Sequence, residues 1–166
     1  MRAARFFGRG AGVRREGEQH RARNDCLIAA GGLSAVAALL HLACIVGGPD
    51  WYRFFGAGEG MARKAEHGSL YPALVTLCIA AILAIWSAYA FAGAGLLRPL
   101  PLMRTALVAI TAVYLLRGLV LLPMLAFRPD LVGSFAVWSS AIVLVYGMVH
   151  AVGTWRAWPA LSTAAG

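Results

Sequence analysis

Four long apolar segments dominate this sequence and restrict what it can fold into. They cover Leu27–Val46, Leu70–Ala92, Thr105–Phe127 and Leu131–Val152. A helix needs roughly 20 apolar residues to cross the hydrocarbon layer of a bilayer, which is about 30 Å thick. Since backbone polar groups inside lipid must be satisfied within the segment, each run is predicted to be helical. The sequence therefore predicts an all-α integral membrane protein.

Short breaks separate the four segments. "GGPD" (Gly47–Asp50) follows the first, "RPLP" (Arg98–Pro101) lies between the second and third, and "RPD" (Arg128–Asp130) precedes the fourth. Glycine and proline are typical of helix ends. We expect these breaks to end the helices, which gives a four-helix up-and-down bundle.

The connection between the first two helices is long enough to have structure of its own. It carries three aromatic side chains, Trp51, Phe54 and Phe55, which we expect to be buried when it folds over the bundle. A short helix is expected to start at Gly58 or Glu59. The sequence thus predicts a structured outward loop between helices 1 and 2.

Charge is scarce and unevenly placed. The chain has 166 residues, of which 60% are hydrophobic and 13% charged, too few polar residues for a soluble domain. Seven of the 15 Lys and Arg residues precede Asp25. We therefore divide the chain into a basic, disordered cytoplasmic tail (1–25), a transmembrane domain (26–156) and a short cytoplasmic tail (157–166). Without a polar domain to read it, nucleic acid is not an expected partner.

The distribution of Lys and Arg predicts an orientation. Ten Lys and Arg residues lie on one side of the bundle: the seven of the tail together with Arg98, Arg104 and Arg156. The two other loops hold four. Cytoplasmic loops are enriched in these residues. The predicted location is the cell inner membrane, with several spans and both termini in the cytoplasm. A cleaved signal peptide, with "HLAC" (His41–Cys44) as a lipoprotein site, is the alternative, but the basic segment before the first span is too long for it.

Cofactor chemistry has little support in the sequence, and we predict none. Counting the helical rise places His41 and His150 about 20 Å apart along the membrane normal, too far to ligate one haem iron. His41 and Cys44 have metal-ligand spacing, but two ligands make a weak site. No CxxC pair is present, so Cys26, Cys44 and Cys78 are interpreted as small core residues.

Arg117 is the most informative polar residue, because it lies near the middle of the third segment. A charged arginine at that depth costs about 2.5–3.5 kcal/mol on insertion scales. Ser139 and His41 lie at similar depths on other helices, and Tyr114 lies one turn away on the same helix. The spans contain no acidic residue, so Glu59 of the outward loop is the expected counter-charge.

Three interpretations of Arg117 compete. It could lock the bundle through Ser, Tyr and carbonyl groups, it could form an outward pocket, or it could face lipid. In the second, Arg117, Tyr114, His41, Ser139 and Glu59 bind an anionic or carbonyl-bearing amphiphile, such as a lipid headgroup, a fatty acid or a quinone.

The sequence favours binding over catalysis. It has no nucleophile elbow, no phosphate loop and no pair of intramembrane carboxylates. We expect a protein that binds or handles a small amphiphile or acts as a partner subunit, with membrane lipids, a homo-oligomer or a larger membrane complex as partners. The alternative is a membrane-embedded enzyme or redox helper with an outward-facing polar pocket.

Three stretches carry a resemblance to a known group of proteins. "GGPDWYRFFGAGE" (Gly47–Glu59), "LLRPLPLMR" (Leu96–Arg104) and "YLLRGLVLLP" (Tyr114–Pro123) resemble small bacterial four-span inner-membrane proteins. The resemblance covers the four spans and leaves out the basic tail. It implies the membrane fold but no activity, so it assigns no catalytic residue.

Overall fold

A computed structural model describes residues 24–163, and every regular element in that range is a helix. The predicted basic tail lies almost entirely outside the described residues. The helices, in chain order, are α1 (Asp25–Phe54), α2 (Glu59–Glu66), α3 (Tyr71–Gly93), α4 (Met103–Leu119), α5 (Leu121–Phe127) and α6 (Ser134–Thr163), with a 3-10 turn at Pro129–Leu131.

Four helical segments are long and apolar enough to cross a membrane: α1, α3, α4 continued by α5, and α6. They form the predicted four-helix bundle, which is the architecture of a multi-pass membrane protein. Helix α2 lies in the loop after α1, and it starts at Glu59 as expected. One end of the bundle, here called the loop end, carries α2 and the 3-10 turn. The other, the terminal end, carries Asn24, the 94–102 loop and the last turns of α6.

The bundle consists of two closely packed helix pairs. Helix α1 packs mainly on α3, α4 packs mainly on α6, and α1 also contacts α6. Small residues allow the first pair to approach closely: Ala38 and Ala80 are buried, and the Ser87 hydroxyl donates to the Gly31 carbonyl at 2.8 Å. Small residues of the two helices therefore form a packing surface.

Two glycines bring α4 and α6 together. A Cβ added at Gly118 would lie 2.9 Å from the Cα of Leu144, and one added at Gly147 would lie 2.7 Å from a methyl group of Leu115. Each helix thus presents a leucine to a glycine of the other, and only a missing side chain leaves room for it.

The first helix changes direction at the "GGPD" break. Gly48 has φ 67° and ψ −150°, a backbone conformation that other residues rarely adopt, and the helix resumes at Pro49. The expectation that the helix would end here was therefore only partly right: the helical conformation is interrupted, but α1 continues to Phe54.

The third and fourth spans also differ in detail from the sequence expectation. Pro123 has no N–H to donate to the Leu119 carbonyl, and the helix is divided into α4 and α5 at Val120, which keeps helical dihedral angles. Helix α6 continues past the predicted end at Val152 and reaches Thr163. The described part of the predicted C-terminal tail, residues 157–163, is therefore helical.

The α4–α6 contact predicts unequal effects of two glycine substitutions. Gly118→Ala should lower the free energy of unfolding by about 1–3 kcal/mol, because the new methyl group would force the two backbones apart. Thermal unfolding of the purified protein in detergent measures this. Gly32→Ala is the matched control, because nothing lies within 4 Å of its added Cβ. Equal unfolding temperatures for the two variants would contradict the close contact.

Candidate functional site

A cluster of polar side chains lies in the core where three helices meet. Ser34 of α1, Tyr114 of α4 and His150 of α6 are 0%, 5% and 0% exposed. The Ser34 hydroxyl lies 3.0 Å from the Tyr114 hydroxyl and 3.2 Å from Nε2 of His150. Hydrogen bonds therefore connect three spans at a single serine.

Aromatic rings enclose this cluster. Trp86 of α3 packs edge-on against Tyr114 with ring centres 5.0 Å apart, and Tyr146 of α6 does so at 5.8 Å. The His150 ring lies 5.1 Å from Tyr114. All four spans thus contribute a side chain to the centre of the bundle.

One proton arrangement uses both hydroxyl hydrogens of the cluster. Tyr114 donates to Ser34, and Ser34 donates to an unprotonated Nε2 of His150. The proton of the neutral ring then sits on Nδ1. The Ala30 carbonyl approaches the ring, but Nδ1 makes no hydrogen bond of normal geometry. Although a serine bonded to a histidine can serve as a nucleophile, these groups are enclosed, so in this conformation the cluster stabilises the bundle.

The Arg117 side chain lies outside this cluster. Arg117 is exposed on α4, and Nη1 donates to the Ser140 hydroxyl at 3.2 Å. Tyr114 points into the core from the same helix. Among the described residues, no hydrogen bond or ion pair joins Arg117 to Tyr114, His41, Ser139 or Glu59.

Two other predicted site residues bond to the backbone of their own helices. Nδ1 of His41 donates to the Ala37 carbonyl at 2.7 Å, and the Ser139 hydroxyl donates to the Ala136 carbonyl at 3.3 Å. Such bonds satisfy polar side chains locally. The four predicted site residues of the spans therefore make no contact with one another through hydrogen bonds, and Glu59 lies apart from them in the loop.

Glu59 belongs to an ion-pair network at the loop end. Arg53 binds Glu59 through Nε at 2.9 Å and Glu66 through Nη2 at 2.6 Å, and Arg63 binds Glu59 through Nε at 3.1 Å. Arg53 first, and then Arg63, hold the pKa of Glu59 at about 2, well below the usual range of a carboxyl group. The loop itself thus supplies the counter-charges of Glu59.

The outward loop is anchored by a different aromatic residue from those expected. Tyr52 is 3% exposed and packs with Cys44 and Ala62, which joins α2 to α1. Trp51 and Phe54 are 41% and 75% exposed, so the expectation that both would be buried was wrong. After the kink at Gly48, the short helical turn directs Tyr52 toward α2 and leaves its neighbours outside.

A cavity of about 590 Å³ opens at the terminal end. The end of α3, the 94–102 loop, the start of α4 and the end of α6 surround it. Representative lining residues are Gly93, Pro99, Leu102, Arg104, Thr105 and Leu161. Apart from Arg104 and Thr105, these residues are apolar, so the cavity is lined mainly by apolar groups and by one cation.

Arg104 has an unmet hydrogen-bonding group. Its guanidinium carbon lies 4.0 Å from the ring centre of Trp158, in a cation–π contact. Its Nε is buried and has no hydrogen-bond partner. Buried donors normally have an acceptor, and this one has neither an acceptor among the described residues nor surface open to solvent.

The start of α4 adds further donors beside Arg104. Leu102 precedes the helix, and no side chain caps its first turn. The first N–H groups of a helix lack partners within the helix and favour an anion. The positive charge of Arg104 lies beside the positive end of the helix dipole, which is unfavourable without a negative charge nearby. An anion bound here would interact favourably with both. The sequence analysis counted Arg104 only as a topology signal and missed this.

The two ends of the bundle differ in charge. At the loop end, the four cations Arg53, Arg63, Lys64 and Arg128 are matched by the four carboxylates Asp50, Glu59, Glu66 and Asp130. At the terminal end, the described residues include Arg98, Arg104 and Arg156 but one carboxylate, Asp25. The cavity therefore lies at the positively charged end.

Comparisons with known proteins found no match: no family model, no curated protein and no solved structure matches this chain.

The core cluster predicts coupled losses of stability. Tyr114→Phe and Ser34→Ala should each lower the free energy of unfolding by about 0.5–2 kcal/mol, because each removes a buried hydrogen bond. The double variant should lose less than the sum, since both changes remove the same bond. Unfolding in detergent and SDS mixtures measures the four proteins. Tyr71→Phe, at an exposed position, is the control, and strictly additive losses would contradict the pairing.

The loop network predicts a low carboxyl pKa that depends on Arg53. The pKa of Glu59 is about 2 in the folded protein. The ion pair therefore stabilises the loop fully at pH values above the ordinary carboxyl pKa, and this stabilisation is lost as the pH falls toward 2. NMR titration of the Glu59 side chain should show this value. Arg53→Gln should raise the pKa more than Arg63→Gln does. Titration of Glu59 near 4 in the unaltered protein would contradict the network.

Proposed function

We propose that this protein is a non-catalytic inner-membrane protein that binds a small anionic amphiphile in the cavity beside Arg104. The guanidinium of Arg104, with an Nε that has no hydrogen-bond partner, in a cavity wall that is apolar apart from Thr105, is the observation that carries the proposal. The chemical class is a carboxylate or phosphate attached to an acyl chain, such as a fatty acid or a lysophospholipid.

The headgroup is recognised by charge and hydrogen bonds. In this proposal an anionic oxygen enters the cavity and accepts from the guanidinium of Arg104, and the uncapped first turn of α4 supports the same oxygen or its neighbour. A hydrogen bond to a charged group contributes about 1.5–3 kcal/mol. Trp158 holds the guanidinium from the other side, which limits its movement.

The acyl chain is recognised by burial. The side chains of Pro99, Leu102 and Leu161 line the cavity, and each methylene group that they cover contributes about 0.8 kcal/mol. An apolar pocket with a few convergent polar groups is the usual form of a ligand site. The ligand would therefore enter with its chain among the helix ends and its headgroup at Arg104.

The proposed orientation places this cavity on the cytoplasmic side. The terminal end carries the unmatched cations, and the basic segment before Asp25 adds seven more at the same end. Both termini would then be cytoplasmic, as the positive-inside rule predicts. Anionic lipids of that leaflet would be attracted to this end of the bundle.

The site predicted around Arg117 stays a prediction, but the geometry favours Arg104. Arg117 is exposed and bonded to Ser140, whereas Arg104 is half-buried and lines a cavity. An amphiphile bound at Arg104 would have its headgroup and part of its chain covered by the same protein.

Binding of a spin-labelled stearate tests the proposal. In nanodiscs of phosphatidylcholine, Arg104→Gln should weaken binding by about tenfold or more, the equivalent of one charge-assisted hydrogen bond. Thr105→Trp should also weaken it, because the larger side chain would fill the cavity. Electron paramagnetic resonance distinguishes bound from free label.

Arg98→Gln is the matched control, since Arg98 is exposed in the 94–102 loop directly before α4. Its affinity should stay within about twofold of the unaltered protein, because it keeps the Arg104 donor. Equal losses for the two arginines would show that the label responds to surface charge only, and unchanged binding by Arg104→Gln would overturn the site.

A further inference from the structure

Arg117 carries a charge on a surface that faces lipid. It is exposed, as are Val113 and Val120, which lie about one turn away on either side and are each 47% exposed. In the described structure its hydrogen bonding is limited to Nη1, which donates to Ser140. Nε and Nη2 therefore remain available on the outside of the bundle.

The chain has no carboxylate that could neutralise this charge at the same depth. Asp and Glu are absent from the apolar part of every span. The acids of the loop end have partners of their own, since Glu59 is paired with Arg53 and Asp130 with Arg128. A second copy of the chain lacks a suitable acid for the same reason, so homo-oligomerisation would not supply one.

Arg117 also lies too deep for easy contact with lipid headgroups. Ten residues separate it from Phe127, where the span ends, which corresponds to about 15 Å of helix. The side chain can move only part of that distance, and an unpaired arginine near the bilayer centre is costly. Charge complementarity at this depth therefore requires an acidic group that is itself inside the membrane.

We infer that the surface formed by Val113 and Arg117 of α4, and by Val120 directly after it, binds a transmembrane helix of another protein. That helix carries an Asp or Glu at mid-membrane depth. The guanidinium fork presents Nε and Nη2 to a carboxylate while Ser140 holds Nη1, an arrangement suited to a bidentate pair. The valines supply an apolar surface for the rest of the partner helix.

This surface is separate from the Arg104 cavity, so the two proposals can fail independently. Arg104 belongs to the first turn of α4 at the terminal end, and Arg117 lies about 20 Å farther along the helix by its rise. If the protein bound an amphiphile but no partner helix, only the Arg117 proposal would fail. If it bound a partner helix but no amphiphile, only the Arg104 proposal would fail.

A synthetic membrane helix provides a defined probe of the Arg117 surface. The full chain is reconstituted in phosphatidylcholine vesicles with a leucine-rich transmembrane peptide that carries a single central Glu, and association is measured by energy transfer. The Glu peptide should bind at least tenfold more tightly than the same peptide with Gln. Arg117→Gln should remove this preference, whereas Arg128→Gln, which changes an exposed arginine outside the spans, should keep it.

Charge reversal tests the pairing directly. Arg117→Glu should bind a peptide with a central Lys at least tenfold more tightly than the Gln peptide, and Arg117→Lys should keep part of the preference for Glu. If Arg117→Gln or Arg117→Glu unfolds, Arg117→Lys gives the decisive comparison. A retained preference for the Glu peptide would support the proposal, and complete loss of this preference would overturn it. Equal binding of the Glu and Gln peptides to the unaltered protein would overturn it. So would displacement of the Glu peptide by equimolar palmitate, because a lipid anion would then be the counter-charge.

Discussion

A chain of hydrogen bonds from Tyr114 through Ser34 to His150 is the interaction on which the bundle depends. Inside a membrane, apolar side chains gain little by leaving lipid for each other, so helix association depends on close packing and on polar contacts. The cluster joins α1, α4 and α6, and Trp86 brings α3 against the same tyrosine. Apart from Nδ1 of His150, these groups bond to one another, and they are buried. Polar groups available to other molecules therefore lie at the surface and at the ends.

The arginines of this protein differ in function because their surroundings differ. Arg53 is compensated by Glu59 and Glu66, so it holds α2 in place. Arg104 lies beside an apolar cavity with a buried, unpaired Nε, which suits an anionic headgroup. Arg117 faces lipid with one hydrogen bond to Ser140, which suits a carboxylate on another helix. The same side chain thus fixes a loop at Arg53, and we propose that it recognises a ligand at Arg104 and selects a partner at Arg117, according to the acceptors within its reach.

Hydropathy predicted the four spans, and glycine and proline predicted the breaks, because both depend on local chemistry. The resumption of α1 at Pro49 was missed since proline can begin a helix as well as interrupt one. The polar cluster was not predicted either. Counted from the terminal end, Ser34, Tyr114 and His150 all lie about 13–20 Å along their helices. Depth alone, however, does not specify which face of a helix turns inward. That choice depends on packing such as Gly118 against Leu144, which no single segment encodes.

A structure determination in nanodiscs of native lipid would test these interactions most directly. It should show a closed interior, with Ser34 in hydrogen-bond contact with both Tyr114 and His150, and an amphiphile whose anionic group lies within hydrogen-bond distance of the Arg104 guanidinium. This arrangement would be contradicted if Arg117 were turned into an open interior with the three core side chains apart, and Nε of Arg104 bonded to a protein acceptor.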